Sequence, residues 1–228
     1  MNHLFAPLNL SPESVKLREL YPDPLLLRDV YCKINNNERL GVIRLWITEG
    51  IPYAFKDHPL LYEEIRAFIA KGVSVHTKEV TLVGSARIGY SLSEKEWGRK
   101  FNNNSDLDFT IVSNDLYKRT VQDFQKWAND LESRRIAPKD DKEMLTWIKN
   151  IEYLDQKISK GFIQLKLIPY HINYSEVKKC YDTIWLLKKK LIDTLIAPNI
   201  SEASIRVYSS WESCIKQLRI NFKYALNL

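Results

Sequence analysis

The chain has 228 residues, of which 45% are hydrophobic and 27% are charged. These proportions are typical of a folded globular protein and exclude a disordered chain. The length suits one domain with an appendage, or two small domains. The three cysteines, Cys32, Cys180 and Cys214, lie far apart without metal-ligand spacing. They argue against a disulfide framework or a zinc site and predict a reducing, cytoplasmic compartment.

The formal net charge of +6 indicates which class of partner the protein could bind. An excess of positive charge favours a polyanion such as a nucleotide or a nucleic acid. The alternative interpretation, a lysine-rich protein without such a partner, stays open on charge alone. No apolar run approaches the roughly 18 residues of a membrane span, so no membrane partner is expected. The N-terminal sequence lacks the basic start and long apolar stretch of a signal peptide.

The N-terminal third is predicted to be helical, with prolines and glycines at the helix ends. Its apolar positions recur at helical spacing, which predicts that each helix buries one face. Three helices are predicted here: a short one after Ser11 that Pro22 and Pro24 end, one over 36–49, and one from Leu60 that Gly72 closes.

The rest of the chain alternates short strands with longer helices. Strands are predicted over 78–83, 106–112 and 162–169, and helices over 113–134, 140–159, 175–195 and 208–225. Trp185, Tyr208 and Trp211 of the C-terminal helices are expected in the core or at a helix–helix interface. The order predicts an α+β fold with a small mixed sheet flanked by helices, not a doubly wound sheet. We expect an N-terminal helical arm over 1–72, a core over 73–174 and C-terminal helices over 175–228.

The residues that suggest chemistry lie between the first two predicted strands. Gly84-Ser85 follows the first strand, and a tight turn there offers backbone N–H groups and a hydroxyl to phosphate oxygens. Asp106 and Asp108 are two apart on the second strand, so both side chains point to one face. Paired carboxylates beside bound phosphates suit Mg²⁺. The set therefore points to phosphoryl or nucleotidyl transfer.

This ordered set resembles the nucleotidyltransferase superfamily of the DNA polymerase β type. The resemblance rests on the strand before Gly84-Ser85, on Arg87, and on Ser105-Asp106-Leu107-Asp108. It covers residues 75–113 directly. It implies transfer of a nucleoside monophosphate from an NTP to a hydroxyl of RNA, a nucleotide or a protein. It also implies Mg²⁺ or Mn²⁺ on Asp106 and Asp108.

The same resemblance suggests roles for the other residues and a biological setting. Gly84, Ser85, Arg87 and Ser105 would bind the nucleotide, with Arg87 as a phosphate clamp or a partner of Asp106. The long loop between Ser85 and Asp106 resembles that of bacterial stand-alone members, including those of antiphage defence and toxin–antitoxin systems. RNA or a partner protein is the expected macromolecular partner.

The sequence departs from the family pattern at one position. Members usually carry a third carboxylate on a later strand, and Lys166 stands there in the predicted strand 162–169. Lys166 would then pair with an aspartate or contact a triphosphate. Three hypotheses stay open: a third acid from elsewhere (Asp115, Asp140 or Asp141), a site with two carboxylates, or a catalytically degenerate protein that binds nucleotides or other proteins.

Overall fold

A computed structural model of the chain describes residues 8–227. Residues 1–7, part of the segment in which no signal peptide is expected, and residue 228 lie outside the described residues. The described helices are α1 (Pro24–Lys33), α2 (Asn36–Val42), α3 (Pro59–Val73), α4 (Ser85–Ile88), α5 (Asn114–Glu132), α6 (Asp141–Ile158), α7 (Ser175–Ile192) and α8 (Trp211–Ala225). The described strands are β1 (Val80–Val83), β2 (Leu107–Val112), β3 (Phe162–Gln164) and β4 (Ala203–Tyr208).

The four strands form one mixed sheet in the order β1-β2-β4-β3. β1 runs antiparallel to β2, and β3 runs antiparallel to β4. β2 and β4 are parallel neighbours at the centre, with Leu107 opposite Ala203 and Val112 opposite Tyr208. The expected α+β class with a small mixed sheet is confirmed.

The two faces of the sheet differ because side chains alternate along a strand. On one face, apolar side chains such as Phe109 and Val207 are buried in the main hydrophobic core, which also takes in α3, α5 and α7. The opposite face carries polar side chains toward the N-terminal ends of β2 and β4: Asp106, Asp108, Ser204 and Arg206. The alternation therefore places the predicted acidic pair on the side of the sheet away from this core.

Two predictions about the later strands are wrong. The segment 162–169 is a strand only over Phe162–Gln164, and a 3-10 turn over Leu165–Leu167 follows it. The strand beside β2 is instead β4, in a stretch predicted as a loop leading into a helix at 208. Its six residues form a strand because β2 and β3, both distant in sequence, supply hydrogen-bond partners on its two sides.

Pro24 starts a helix, although its sequence context predicted that it would stop one. Asp23 caps α1, since its Oδ1 accepts the N–H groups of Leu25 and Leu26 at 2.8 and 3.2 Å. Proline fits the first helical position because its missing N–H has no helical partner there. The helix predicted over 36–49 is confirmed, with α2 continuing as a π-helical turn over Ile43–Thr48.

Gly72 does not close α3, as predicted, but lies inside it. The helix ends one residue later, where Ser74 adopts a left-handed conformation with φ of 57°. A Cβ atom on Gly72 would overlap Oγ1 of Thr183 on α7. Glycine therefore allows the two helices to approach closely at this crossing.

Gly72→Ala is expected to destabilise the protein by about 1–3 kcal/mol, because the added methyl group forces packed elements apart. Gly41 provides the matched control, since it lies in α2 with nothing within 4 Å of the position that a Cβ atom would take. Gly41→Ala is expected to raise the free energy of unfolding by about 0.5–1 kcal/mol through reduced backbone entropy. Urea unfolding measures both, and an unchanged or stabilised Gly72→Ala protein would contradict the close crossing.

Candidate functional site

The turn after β1 brings the chain against one of the predicted carboxylates. Gly84 has φ of 72° and ψ of −152°, a conformation that side chains other than glycine avoid. A Cβ atom there would lie 3.5 Å from Oδ2 of Asp108. Ser85 then begins the single turn α4, which leaves the N–H groups of Ser85 and Ala86 without a helical partner. The structure thus brings Gly84 and Asp108 together, with Ser85 next to them in the turn.

The two aspartates are exposed and differ in their contacts. Oδ1 of Asp108 accepts a hydrogen bond from Oγ of Ser204 at 2.8 Å, across the parallel pair β2–β4. This bond orients Asp108 and directs a second oxygen, Oδ2, toward Gly84. The carboxylate of Asp106 makes no hydrogen bond or ion pair with the residues that the structure describes. Three carboxylate oxygens are therefore free to bind a ligand.

A cavity of about 1030 Å³ opens over this face of the sheet, and we call it the carboxylate cavity. Gly84, Ser85 and the two aspartates line one part of it, and the segment 91–96 and α8 line other parts. Lys157 and Arg206 also line it, and neither has a carboxylate within ion-pair distance among residues 8–227. Lys95 lines the cavity too and also has no ion pair among residues 8–227, so three such cations share the cavity with the acidic pair. Glu94 and Glu96 belong to the same lining.

Asp106 and Asp108 also line a second cavity of about 470 Å³, which we call the side cavity. Its other walls come from α7, from the start of β4 and from the turn after β3, which contributes Lys166. The acidic pair thus stands at the border of two cavities. Two different ligands can therefore reach the same carboxylates from different directions.

No third carboxylate completes a metal site in the part of the chain that the structure describes. Asp115 binds Arg119 at 3.0 Å, and Asp140 caps α6 by accepting the N–H of Glu143. Asp141 is the first residue of α6 and lines neither of these two cavities. The three acids suggested by the sequence are therefore not brought to the pair.

Among the described residues, Glu202 is the one further acid that lines the side cavity, and it forms an ion pair with a lysine. Its Oε2 accepts a hydrogen bond from Nζ of Lys188 at 2.6 Å. Lys166, expected on a strand beside the aspartates, lies exposed in the turn after β3. The strand beside β2 places Ser204 opposite Asp108 and Arg206 opposite Thr110. Arg206 cannot ligate a cation, and Ser204 offers a neutral hydroxyl in place of a charged carboxylate.

Arg87 and Ser105 are both buried, but only Ser105, which directly precedes Asp106, belongs to the lining of the carboxylate cavity. The Arg87 guanidinium donates to the carbonyl oxygens of Ile51 and Leu45 at 3.0 and 3.2 Å, and burial lowers its pKa. Oγ of Ser105 accepts the N–H of Asn102 at 3.1 Å. Both side chains form hydrogen bonds with the backbone of neighbouring segments, which is a structural role.

The long loop between Ser85 and Asp106 is anchored by aromatic packing. Trp97 packs edge-on against Phe222 of α8, with ring centroids 5.5 Å apart. Tyr90 packs against Trp97, and burial raises its pKa. The loop is therefore fixed to α8, and both elements line the carboxylate cavity.

The polar residues of β4 and the cation on α6 were not predicted from the sequence. Ser204 and Arg206 belong to Ala-Ser-Ile-Arg-Val-Tyr, in which polar and apolar residues alternate before the final tyrosine. Such a period-two alternation predicts a strand and could have identified β4. Lys157 carried no signal, because only the packing of α6 near β3 brings it to the cavity.

Comparison of the chain with family models, with curated proteins and with solved structures found no match. Over residues 8–227, no helix combines the length and apolar character that crossing a membrane requires.

Arg87→Ala is expected to lower the free energy of unfolding by about 3 kcal/mol, since two hydrogen bonds from a charged donor are lost. Arg99→Ala is the control, because Arg99 is exposed and, within residues 8–227, forms its one ion pair with Glu96 on the surface. Chemical denaturation measures the change. An unchanged free energy of unfolding in Arg87→Ala would show that the buried hydrogen bonds contribute little to stability. It would contradict the structural role assigned to Arg87.

Proposed function

We propose that the chain catalyses magnesium-dependent transfer of a nucleoside monophosphate from an NTP to an acceptor hydroxyl. The observation that carries the proposal is the position of Asp106 and Asp108. They lie beside the Gly84-Ser85 turn and border two cavities at once. A transfer reaction needs two substrates that meet at one centre. Two cavities that share the same pair of carboxylates suit this requirement.

The donor set fits a hard divalent cation. Both aspartates are exposed, and Mg²⁺ is commonly held by one or two carboxylates together with substrate phosphates. When bound, the ion would neutralise charge on the transferring phosphate and orient its oxygens. Asp106 and Oδ2 of Asp108 would hold it, while Ser204 keeps Asp108 in place.

The carboxylate cavity suits the NTP. Its volume of about 1030 Å³ matches the upper range of small-molecule sites. Lys157 and Arg206 supply positive charge for a triphosphate, and the N–H group of Ser85 supplies a donor at the turn. These residues replace Arg87, Ser105 and Lys166 as the proposed phosphate contacts.

The reaction exchanges one phosphorus–oxygen bond for another. The acceptor oxygen forms a bond to the α-phosphorus, and the bond from that phosphorus to the oxygen bridging to the β-phosphate breaks. Pyrophosphate leaves with the bonding electron pair, and the hydroxyl proton passes to water. The chain's own contribution is to position the two substrates and to balance the charge of the phosphates.

A catalytically degenerate protein that binds nucleotides or a partner protein is the second candidate. Ser204 favours it, because a hydroxyl on the strand beside β2 occupies one Asp108 oxygen where a further acid would strengthen a metal site. A role in bacterial antiphage defence or in a toxin–antitoxin pair fits either candidate, and so does a cytoplasmic location.

Asp106→Asn/Asp108→Asn is expected to reduce label transfer from α-labelled NTPs by about a thousandfold, since metal stabilisation of the transferred group is worth several kcal/mol. Total RNA, free nucleotides and the protein itself serve as acceptors, with Mg²⁺ or Mn²⁺ present. Asp155→Asn/Asp193→Asn removes the same charge from exposed positions outside both cavities and is expected to retain activity.

Equal transfer by the parent and the Asp106/Asp108 variant would refute the catalytic assignment. Magnesium-dependent NTP binding without transfer to any acceptor would favour the degenerate protein. Absence of both transfer and NTP binding would refute the enzyme and leave a catalytically degenerate protein that binds a partner protein.

A further inference from the structure

A third cavity of about 860 Å³ lies beside α6 and contains unpaired positive charge. We call it the basic cleft, and its cationic walls are Arg135, Lys139, Lys142 and Lys166, with His171 beside them. Arg135 binds the buried Asp130 at 2.7 Å. The three lysines have no carboxylate within ion-pair distance among residues 8–227.

The two acids in the basic cleft lower its net charge but form no ion pair with these lysines. Oδ1 of Asp140 accepts the N–H of Glu143 at 2.7 Å, and Oε2 of Glu143 accepts the N–H of Lys139 at 2.6 Å. Both carboxylates are thus engaged with the backbone at the start of α6. The lysine ammonium groups remain available to an anionic ligand.

The basic cleft adjoins the side cavity. Lys166 and Tyr181 line both, and the side cavity extends from them to Asp106 and Asp108. Lys166 and Tyr181 thus stand where the two cavities adjoin. We call the row of these two cavities, from the acidic pair to the lysines at the start of α6, the groove. The carboxylate cavity, proposed for the NTP, lies on the other side of the same pair.

Aromatic side chains follow this groove. Tyr170 in the basic cleft is 57% exposed, and Trp185 in the side cavity is 60% exposed, although Trp185 was expected in the core or at a helix–helix interface. Tyr170 is held in place by a 2.9 Å hydrogen bond from its hydroxyl to Asp182. Exposed aromatic rings between lysines are typical of surfaces on which bases stack while cations contact the backbone.

We propose that the acceptor is a single-stranded nucleic acid bound along this groove. Its terminal hydroxyl would lie in the side cavity at Asp106 and Asp108, and its upstream phosphates would contact Lys139, Lys142 and Lys166. The identification as an acceptor rests on the proposed nucleotidyl transfer. An acidic protein segment is less suited, since it would match the lysines but not the exposed rings.

Fluorescence anisotropy with a fluorescein-labelled single-stranded RNA tests whether the groove binds a strand. An RNA of about 12 nucleotides lies within the range of known single-strand sites. A DNA of the same sequence forms the second arm. Lys139→Ala/Lys142→Ala/Lys166→Ala is expected to weaken binding about tenfold and to reduce the salt dependence of log K by about 2, the contribution of three phosphate contacts.

Lys71→Ala/Lys118→Ala/Lys216→Ala is the matched control, because it removes the same charge from exposed positions outside all three cavities. Its dissociation constant for the strand is expected to lie within about twofold of the parent's, a difference that the loss of general positive charge accounts for. Equal weakening in both variants, or no binding of RNA or DNA by the parent, would overturn the proposal.

A photoreactive base distinguishes the direction of the strand. With the base at the 3′ end, crosslinks are expected in the side cavity near 203–205. With the base at an internal position, they are expected near 139–147. The opposite pattern would overturn the placement of the hydroxyl.

Failure of this proposal is separable from failure of the proposed function. Label transfer to free nucleotides or to protein, without strand binding in the groove, would leave nucleotidyl transfer standing and remove the nucleic-acid acceptor. Strand binding that depends on the three lysines, without any NTP binding, would instead refute nucleotidyl transfer and with it the acceptor role.

Discussion

The parallel pairing of β2 with β4 is the constraint on which the site depends. It joins residues about a hundred positions apart and places Asp108 directly opposite Ser204. Because side chains alternate along both strands, the same pairing buries Phe109 and Val207 in the core and turns the acidic pair outward. Core packing on one face therefore fixes the position of the polar groups on the other.

The surrounding elements divide the space around the acidic pair. The loop between Ser85 and Asp106 is tied to α8 through Trp97 and Phe222, and together they enclose the carboxylate cavity. α7 and the turn after β3 form the side cavity. Buried Arg87 stabilises the turn without reaching the site. This division into two cavities supports a reaction between two substrates more than the binding of one.

The local parts of the site could be predicted from the sequence, and the long-range parts could not. Gly84 and the spacing of Asp106 and Asp108 follow from backbone conformation and strand periodicity, which are local properties. The partner strand of β2 depends on tertiary pairing, so the segment around Lys166 was mistaken for it and Ala203–Tyr208 was missed. Similarly, Gly72 could end a helix or lie inside one, and its close contact with Thr183 of α7 decides the outcome. Asp23-Pro24, by contrast, is a local signal for a helix start that the prediction overlooked.

A crystal structure with Mn²⁺ and a non-hydrolysable NTP analogue tests the central claim most directly, because anomalous scattering locates the metal. We predict Mn²⁺ bound to both Asp106 and Asp108, with the triphosphate in the carboxylate cavity near Lys157 and Arg206. A nucleotide bound elsewhere, or a triphosphate in this cavity without metal on the acidic pair, would contradict this assignment.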